Sequence, residues 1–305
     1  MATVRDRWRS HLLQTLSGTD DGSPQWVRNL AGGDDAGFFG PGSAAWAVHG
    51  GMATMVAGIR ALLVQALHPG AMAGVHDWSR YREDPLGRLT GTIRWLITVT
   101  FGDRATAERS SAQVRGLHRR VQGEYVDAFG APRPYRASDP ELIEWVHLAF
   151  TDSFLTCHEI WESEIPGGPD AYVREWATAG ELIGLSDPPL TAHELRGRLR
   201  AIADAGVLKT DARVLDVVRF IRTPPLAKGM IAPYRVMFAG AVASLDPLHR
   251  RMLGLPRPGF LAVPATGAVL RTARSLLGER STSEDAAQAR IARLRDASAG
   301  SQPAA

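Results

Sequence analysis

The stretch 44–75, AAWAVHGGMATMVAGIRALLVQALHPGAMAGV, contains Arg60 as its only Arg, Lys, Asp or Glu. A run of this length is long enough to cross a bilayer, but Arg60, His49 and the His68-Pro69 pair are each costly in lipid. We interpret the stretch as buried helix inside a large soluble domain. The helix is expected to end before Pro69, because proline disfavours helical geometry at the residue that precedes it.

The composition is that of an ordinary globular protein with ample core material. The chain has 305 residues, of which 45% are hydrophobic and 22% charged, and this favours a single large domain with extensions. The formal net charge is only +3. Since no basic stripe with interleaved aromatic residues accompanies it, we expect no nucleic-acid partner.

The cysteine content and the N-terminal sequence bear on the compartment. Cys157 is the only cysteine, which excludes an intramolecular disulfide; we interpret it as a packed core residue. The opening MATVRDRWRSHLLQ lacks the apolar segment of a secretory signal peptide, so we expect a cytoplasmic protein. Peripheral membrane association stays open, and the sequence does not determine the oligomeric state.

Helical patterns without βαβ alternation predict an all-α fold, a single large helical domain. Ser43 is expected to cap the apolar helix, and Ser138 with Pro140 to start another. The clearest pattern predicts a long helix over 104–129. The tail from Ser281 is expected to be a frayed helix that ends in disorder. The other predicted helices cover 85–102, 138–161, 170–184, 191–205, 211–220 and 232–252.

Familiar catalytic motifs are missing from the sequence: it has no Walker loop, no HExxH and no GxSxG. One ExxH is present, formed by Glu144 and His147, and His158 and Glu162 follow on the same predicted helix. A di-iron bundle needs a second such motif with further glutamates. A non-haem iron site of these four residues therefore stays as an alternative.

The stretch GLHRRVQGEY, 116–125, places a histidine among arginines. On a helix His118 would share a face with Arg115 and Gln122. Neighbouring cations such as Arg119 would lower the pKa of His118 and keep its imidazole neutral, which suits metal binding. The alternative is a basic surface helix whose histidine merely titrates.

The stretch DPLGRLTGTIRWLITVTFGD, 84–103, holds a second polar pair. Arg88 and Thr92 are four residues apart and would share one helical face. With the apolar residues that follow, they predict a polar spot on a buried helix.

Five segments of the chain occur in the order found in one known family. The sequence resembles the MpaB-type oxygenase and rubber oxygenase (latex-clearing protein) catalytic domain family, long labelled a domain of unknown function. The resemblance covers 34–265, with an extension at 1–33 and a C-terminal helix and polar tail at 266–305. The segments are DDAGFFGPGSAAWAV, ALLVQALHPGAMAGVHDWSRY, DPLGRLTGTIRWLITVTFGD, VRGLHRRVQGEY and YRASDPELIEWVHLAF.

The resemblance implies a globin-like helical core, with additional helices, that encloses haem b. His118 matches the family's proximal iron ligand, and Arg88 and Thr92 match its distal arginine and threonine. Arginines near His118 would pair with the haem propionates, with Arg115 as first choice and Arg119 as second.

One position departs from the family pattern. Some rubber oxygenases carry a lysine just before the distal threonine as a sixth iron ligand, and Gly91 stands there in this chain. The resemblance therefore predicts an open distal side unless His68 or His49 enters it. The departure also weakens any inference that the substrate is polyisoprene.

The resemblance implies a haem-dependent oxygenase or oxidase that acts with dioxygen on a hydrophobic small molecule. Arg88 and Thr92 would orient dioxygen or polarise the substrate, while His118 binds the iron. The alternatives are the non-haem iron enzyme described above and a haem or lipid carrier without turnover.

Overall fold

The structure is a computed structural model that describes residues 19, 21, 23–78 and 85–300, with the backbone alone at 85–90 and 299–300. It confirms the predicted all-α class, because the described part is built of helices and one two-stranded sheet. The elements are α1 (Gln25–Arg28), a 3-10 turn (Asn29–Ala31), α2 (Ala44–Gly50), α3 (Thr54–Gln65), α4 (Pro69–Trp78), α5 (Pro85–Phe101), α6 (Arg104–His118), β1 (Gln122–Val126), β2 (Pro132–Arg136), α7 (Pro140–Trp161), α8 (Gly168–Ile183), α9 (Ala192–Asp204), α10 (Ala212–Arg222), α11 (Lys228–Ala243), α12 (Pro247–Met252), α13 (Ala262–Leu277) and α14 (Thr282–Gly300).

The centre of the molecule is the packing of α3 along α7, the most extensive contact between described elements. Leu63 of α3 and Trp145, Leu148 and Leu155 of α7 are fully buried there. Arg60 is buried as well, and its guanidinium lies 2.7 Å from the carboxylate of Asp152 on α7. The apolar stretch is therefore protein core, as predicted, and its one charge is neutralised inside that core.

The apolar stretch is broken twice. The backbone bends by 90° between α2 and α3, and no single described helix is both long and apolar enough to cross a membrane, although the bent pair passes on length and composition together. The second break is the predicted one before Pro69. There the buried ring of His68 accepts hydrogen bonds through Nδ1 from the backbone N–H groups of Gly70 (3.2 Å) and Ala71 (3.4 Å), which caps α4.

The cap of α2 is also the predicted one. The hydroxyl of Ser43 accepts a hydrogen bond from the backbone N–H of Trp46 at 3.2 Å. For α7 the predicted start is confirmed at Pro140, but the capping position is Asp139, not Ser138.

The prediction of one helix over 104–129 is wrong. Helix α6 ends at His118, and β1 follows and pairs antiparallel with β2. The pairing places Gly123 opposite Tyr135, whose buried ring would lie 3.0 Å from a Cβ at position 123. A tertiary contact, the burial of Tyr135 against Leu142 and Ala73, therefore decides the structure of this segment over its local helical pattern.

Two further predictions concern the C-terminal third. The predicted helix over 232–252 is divided into α11 and α12 at Asp246-Pro247, where the Asp246 carboxylate caps α12. The helix predicted for the tail is present as α14, but it packs on α1, the 3-10 turn and α5 and is not merely a frayed end. The disorder predicted for the end of the tail lies outside the described residues. In α14, Arg290 is fully buried and donates to the backbone carbonyls of Leu30, Asp35 (3.0 Å), Ala36 (3.2 Å) and Phe101 (2.9 Å).

Candidate functional site

Helices α5 and α6, which carry the predicted site residues, are joined by only two residues and lie side by side. The indole N–H of Trp95 on α5 donates to the hydroxyl of Ser111 on α6 at 3.0 Å. This bond fixes the alignment of the antiparallel pair. Arg88 lies seven residues before Trp95, and His118 lies seven residues after Ser111. Seven residues of helix span about 10 Å, so Arg88 and His118 are at the same end of the helix pair, each about 10 Å from the bond between Trp95 and Ser111.

His118 is the last residue of α6, not a residue inside a longer helix, so it shares no helical face with Gln122. Its side chain is half-buried. The Nδ1 atom of His118 is buried and has no hydrogen-bond partner among the described residues, as is also true of Nδ1 in His49 and His158. A buried polar atom left without a partner is unusual in a native protein and calls for an explanation.

The pKa of the His118 imidazole is lowered, as predicted, but for another reason. Burial disfavours the charged form and lowers the pKa; neighbouring arginines are not among the causes. The imidazole is therefore neutral near pH 7, and a neutral imidazole has the lone pair that a metal ion requires.

The two arginines chosen for propionate pairing differ in their surroundings. The guanidinium of Arg115 donates to the backbone carbonyl of Leu182 near the end of α8, where α8 is closed by Gly184 in a left-handed conformation, φ 103°. Arg119 is exposed and forms no ion pair with another described residue. A role of either residue at a cofactor stays a prediction.

On α5 the structure shows an open helical turn. Gly91, Thr92, Ile93 and Arg94 are all exposed, and a Cβ at Gly91 would meet no heavy atom within 4 Å. Arg88 lies in α5, but its side chain is outside the described residues. The predicted burial is therefore wrong for Thr92, whose side chain is exposed.

The two histidines considered as sixth ligands have other contacts. His68 caps α4 through Nδ1, as described above. His49 is buried, its Nε2 lies 3.2 Å from the hydroxyl of Tyr172, and its ring packs against Trp176 with 4.1 Å between ring centroids. Burial lowers the pKa of His49 to about 3 and that of His68 to about 4.

The four residues of the non-haem alternative are not brought together. His147 and His158 are eleven residues apart on α7, which separates them by roughly 16 Å along the helix. Glu144 pairs with Arg198 at 3.1 Å, and Glu162 accepts hydrogen bonds from the N–H of Ala53 (2.9 Å) and from Arg274. Within the described ranges no group of three or more His, Cys, Asp or Glu residues could hold a metal ion.

Cys157 has no part in this site. It is fully buried, as predicted, and burial raises the pKa of its thiol to about 12. A buried thiol with that pKa stays protonated at neutral pH and is a poor nucleophile.

Sequence reasoning missed the contacts that position the site. The bond between Trp95 and Ser111 aligns α5 with α6, and the bond from Arg115 to Leu182 ties the end of α6 to α8. The only sequence signal for this bond was a tryptophan and a serine on two helices joined by a short loop. Such pairs are too common in proteins for the sequence to identify Trp95 and Ser111 as partners. The partner of Arg115, a backbone carbonyl 67 residues away, has no sequence signal at all.

Together the fold and the site define a helical protein in which the candidate ligand is a single neutral histidine at a helix end, and in which the described residues form no cluster of carboxylates and histidines. The chain belongs to the family described as ER-bound oxygenase mpaB/B'/Rubber oxygenase, catalytic domain, which matches residues 46–279. The family is one of oxygenases, so its members are oxidoreductases, and membership implies a metal or haem cofactor in general. No curated protein and no solved structure matches the chain.

Proposed function

We propose that this protein is a haem-b-dependent oxygenase that acts with dioxygen on a hydrophobic small molecule, and that His118 holds the iron. Family membership supports the oxygenase class. The observation that supports His118 as the ligand is its buried, unpartnered Nδ1 at the end of α6. His49 and His158 also have an unpartnered Nδ1, but their Nε2 atoms lie against the Tyr172 hydroxyl (3.2 Å) and the Ser163 carbonyl oxygen (3.0 Å).

The residues present fit a haem better than a bare metal ion. A protein-bound iron without a porphyrin needs several side-chain ligands, and the described residues offer no such group. A haem needs only one protein ligand on the proximal side, because the porphyrin supplies the other four nitrogens. A single neutral histidine meets this requirement.

When bound, the haem would supply the activation of dioxygen. The chain's own residues would position the reactants. The hydroxyl of Thr92 is exposed on α5 and can donate or accept a hydrogen bond. Arg88, level with His118 along the helix pair, would add a positive charge that orients dioxygen or polarises the substrate.

The propionates of a haem would be held by arginine through charge-assisted hydrogen bonds. Arg119 is the better candidate, because it directly follows His118 and forms no ion pair with another described residue. Arg115 would first have to give up its bond to the carbonyl of Leu182.

The proposal is tested by the pigment of the purified protein. Protein produced with an adequate supply of haem should show a Soret band, and its pyridine haemochrome should be that of haem b with one haem per chain. Stoichiometric iron without a Soret band would contradict the proposal. A protein that carries haem but never consumes dioxygen with any hydrophobic substrate would instead be a carrier.

A further inference from the structure

The segment Gly259–Leu270, which includes the first half of α13, reverses the usual distribution of polar and apolar side chains. Its sequence, GFLAVPATGAVL, contains no charged residue. Its one polar side chain, Thr266, is fully buried, with its hydroxyl 3.0 Å from the carbonyl oxygen of Val236. Phe260 and Leu261 are 89% and 61% exposed. A surface helix normally turns its polar residues outward.

The exposed apolar residues lie on one face of the helix. Leu261, Pro264, Ala265 and Ala268 are all exposed, and their spacing of three, four and seven residues puts them on a single stripe. We call this set, together with Phe260, the apolar face of α13. Contiguous exposed apolar surface of this kind marks an interaction site.

The charged residues that precede and follow this face along the chain have one sign. From Pro247 to Gly278 the sequence contains no Asp or Glu, whereas it contains five arginines. Arg257 precedes Phe260 by three residues, and Arg271 follows Ala268 by three; both are exposed, and neither forms an ion pair with a described residue. An apolar face bordered by unpaired arginines is complementary to a surface that has an apolar layer covered by negatively charged groups.

We propose that the apolar face of α13 binds the surface of a bilayer that contains anionic lipid. Phe260 and Leu261 would enter the boundary between headgroups and acyl chains, and Arg257 and Arg271 would contact the lipid phosphates. A second copy of the chain fits this face less well. A stable dimer buries about 800 Å² per partner, and the segment has no acidic residue to receive the partner's arginines.

The test is co-sedimentation of the full-length protein with vesicles. We expect binding to vesicles of phosphatidylcholine mixed with phosphatidylglycerol, and weaker binding to vesicles of phosphatidylcholine alone. The double variant F260S/L261S should lower the apparent partition constant on the order of ten-fold or more, because each side chain loses its burial in lipid. The variant R257Q should mainly reduce the difference between the two kinds of vesicle.

A matched control is Phe129→Ser, since Phe129 is 73% exposed at the turn between β1 and β2, away from α13 in sequence. Its binding should equal that of the wild type, and circular dichroism should show the same helix content for every variant. Wild-type protein that stays in the supernatant with both kinds of vesicle would overturn the proposal. So would a dimer in sedimentation velocity that the double variant loses, together with unchanged vesicle binding.

Discussion

Arg60 and Asp152 form an ion pair at 2.7 Å between the two central helices, α3 and α7, and both residues are buried. The Arg60 guanidinium also donates to the hydroxyl of Ser153 at 2.8 Å. In the sequence, Arg60 is the charged residue that argues against a membrane-spanning helix in the stretch 44–75. In the fold it joins the two helices that form the most extensive contact between described elements.

Replacement of Asp152 by Ala should lower the free energy of unfolding by about 3–5 kcal/mol, because it leaves Arg60 buried and uncompensated. Urea unfolding measures the effect. The exposed pair of Arg28 and Asp21, at 3.1 Å, is the matched control, and Asp21→Ala should cost about 0–1 kcal/mol. Equal costs for the two variants would show that the buried pair is not important for stability.

The stability should fall as the pH is lowered from about 6.5 towards 4. Burial lowers the pKa of His68 and of His147 to about 4 and that of His49 to about 3, below the unfolded value of about 6.5. Between these values the unfolded chain binds more protons than the folded chain, so protons favour unfolding. Each histidine contributes up to about 1.4 kcal/mol per pH unit.

The variant His68→Asn separates one of these contributions. Asparagine can still accept the hydrogen bonds from Gly70 and Ala71, but it does not titrate. The decrease in unfolding free energy between pH 6.5 and pH 5 should therefore be smaller than in the wild type. A wild-type stability that rises towards pH 5 would contradict the assignment.

Arg115 and Arg119 should behave differently when each is replaced by Ala. Loss of Arg115 leaves the Leu182 carbonyl without its charged donor and should cost about 1–3 kcal/mol of stability, with the haem content of the folded protein unchanged. Loss of Arg119 should change stability by less than about 0.5 kcal/mol but speed the transfer of haem to apomyoglobin. The opposite pattern would make Arg115 the propionate partner.

Much of the fold could be predicted from local signals. Proline at positions 69 and 140 correctly gave the start of α4 and α7, and Ser43 gave the cap of α2, because these effects act within a few residues. The end of α6 could not be predicted, since β1 exists only through its pairing with β2 and the burial of Tyr135. The sequence predicted which residues form the candidate site, but not how they are arranged. The alignment of α5 with α6 depends on the hydrogen bond between Trp95 and Ser111, a contact between two helices that local patterns do not reveal.

Replacement of Gly91 by Lys should change the spectrum of the haem-loaded protein. No heavy atom lies within 4 Å of a Cβ at this position, so the side chain can be added without a clash. The wild-type ferric protein should be mostly high-spin and bind imidazole readily, and the lysine variant should shift towards low-spin. Electron paramagnetic resonance measures both. A wild-type spectrum that is already low-spin and insensitive to imidazole would contradict an open distal side.

The central claim, that His118 holds a haem, is tested most directly by the haem content of His118→Gly. We predict that this variant keeps the helix content of the wild type but is purified with little or no haem, and that added imidazole restores a Soret band by filling the space of the lost side chain. His193→Gly, at an exposed position on α9, should retain the wild-type haem content. A His118→Gly protein with a full complement of haem and an unchanged spectrum would contradict the account.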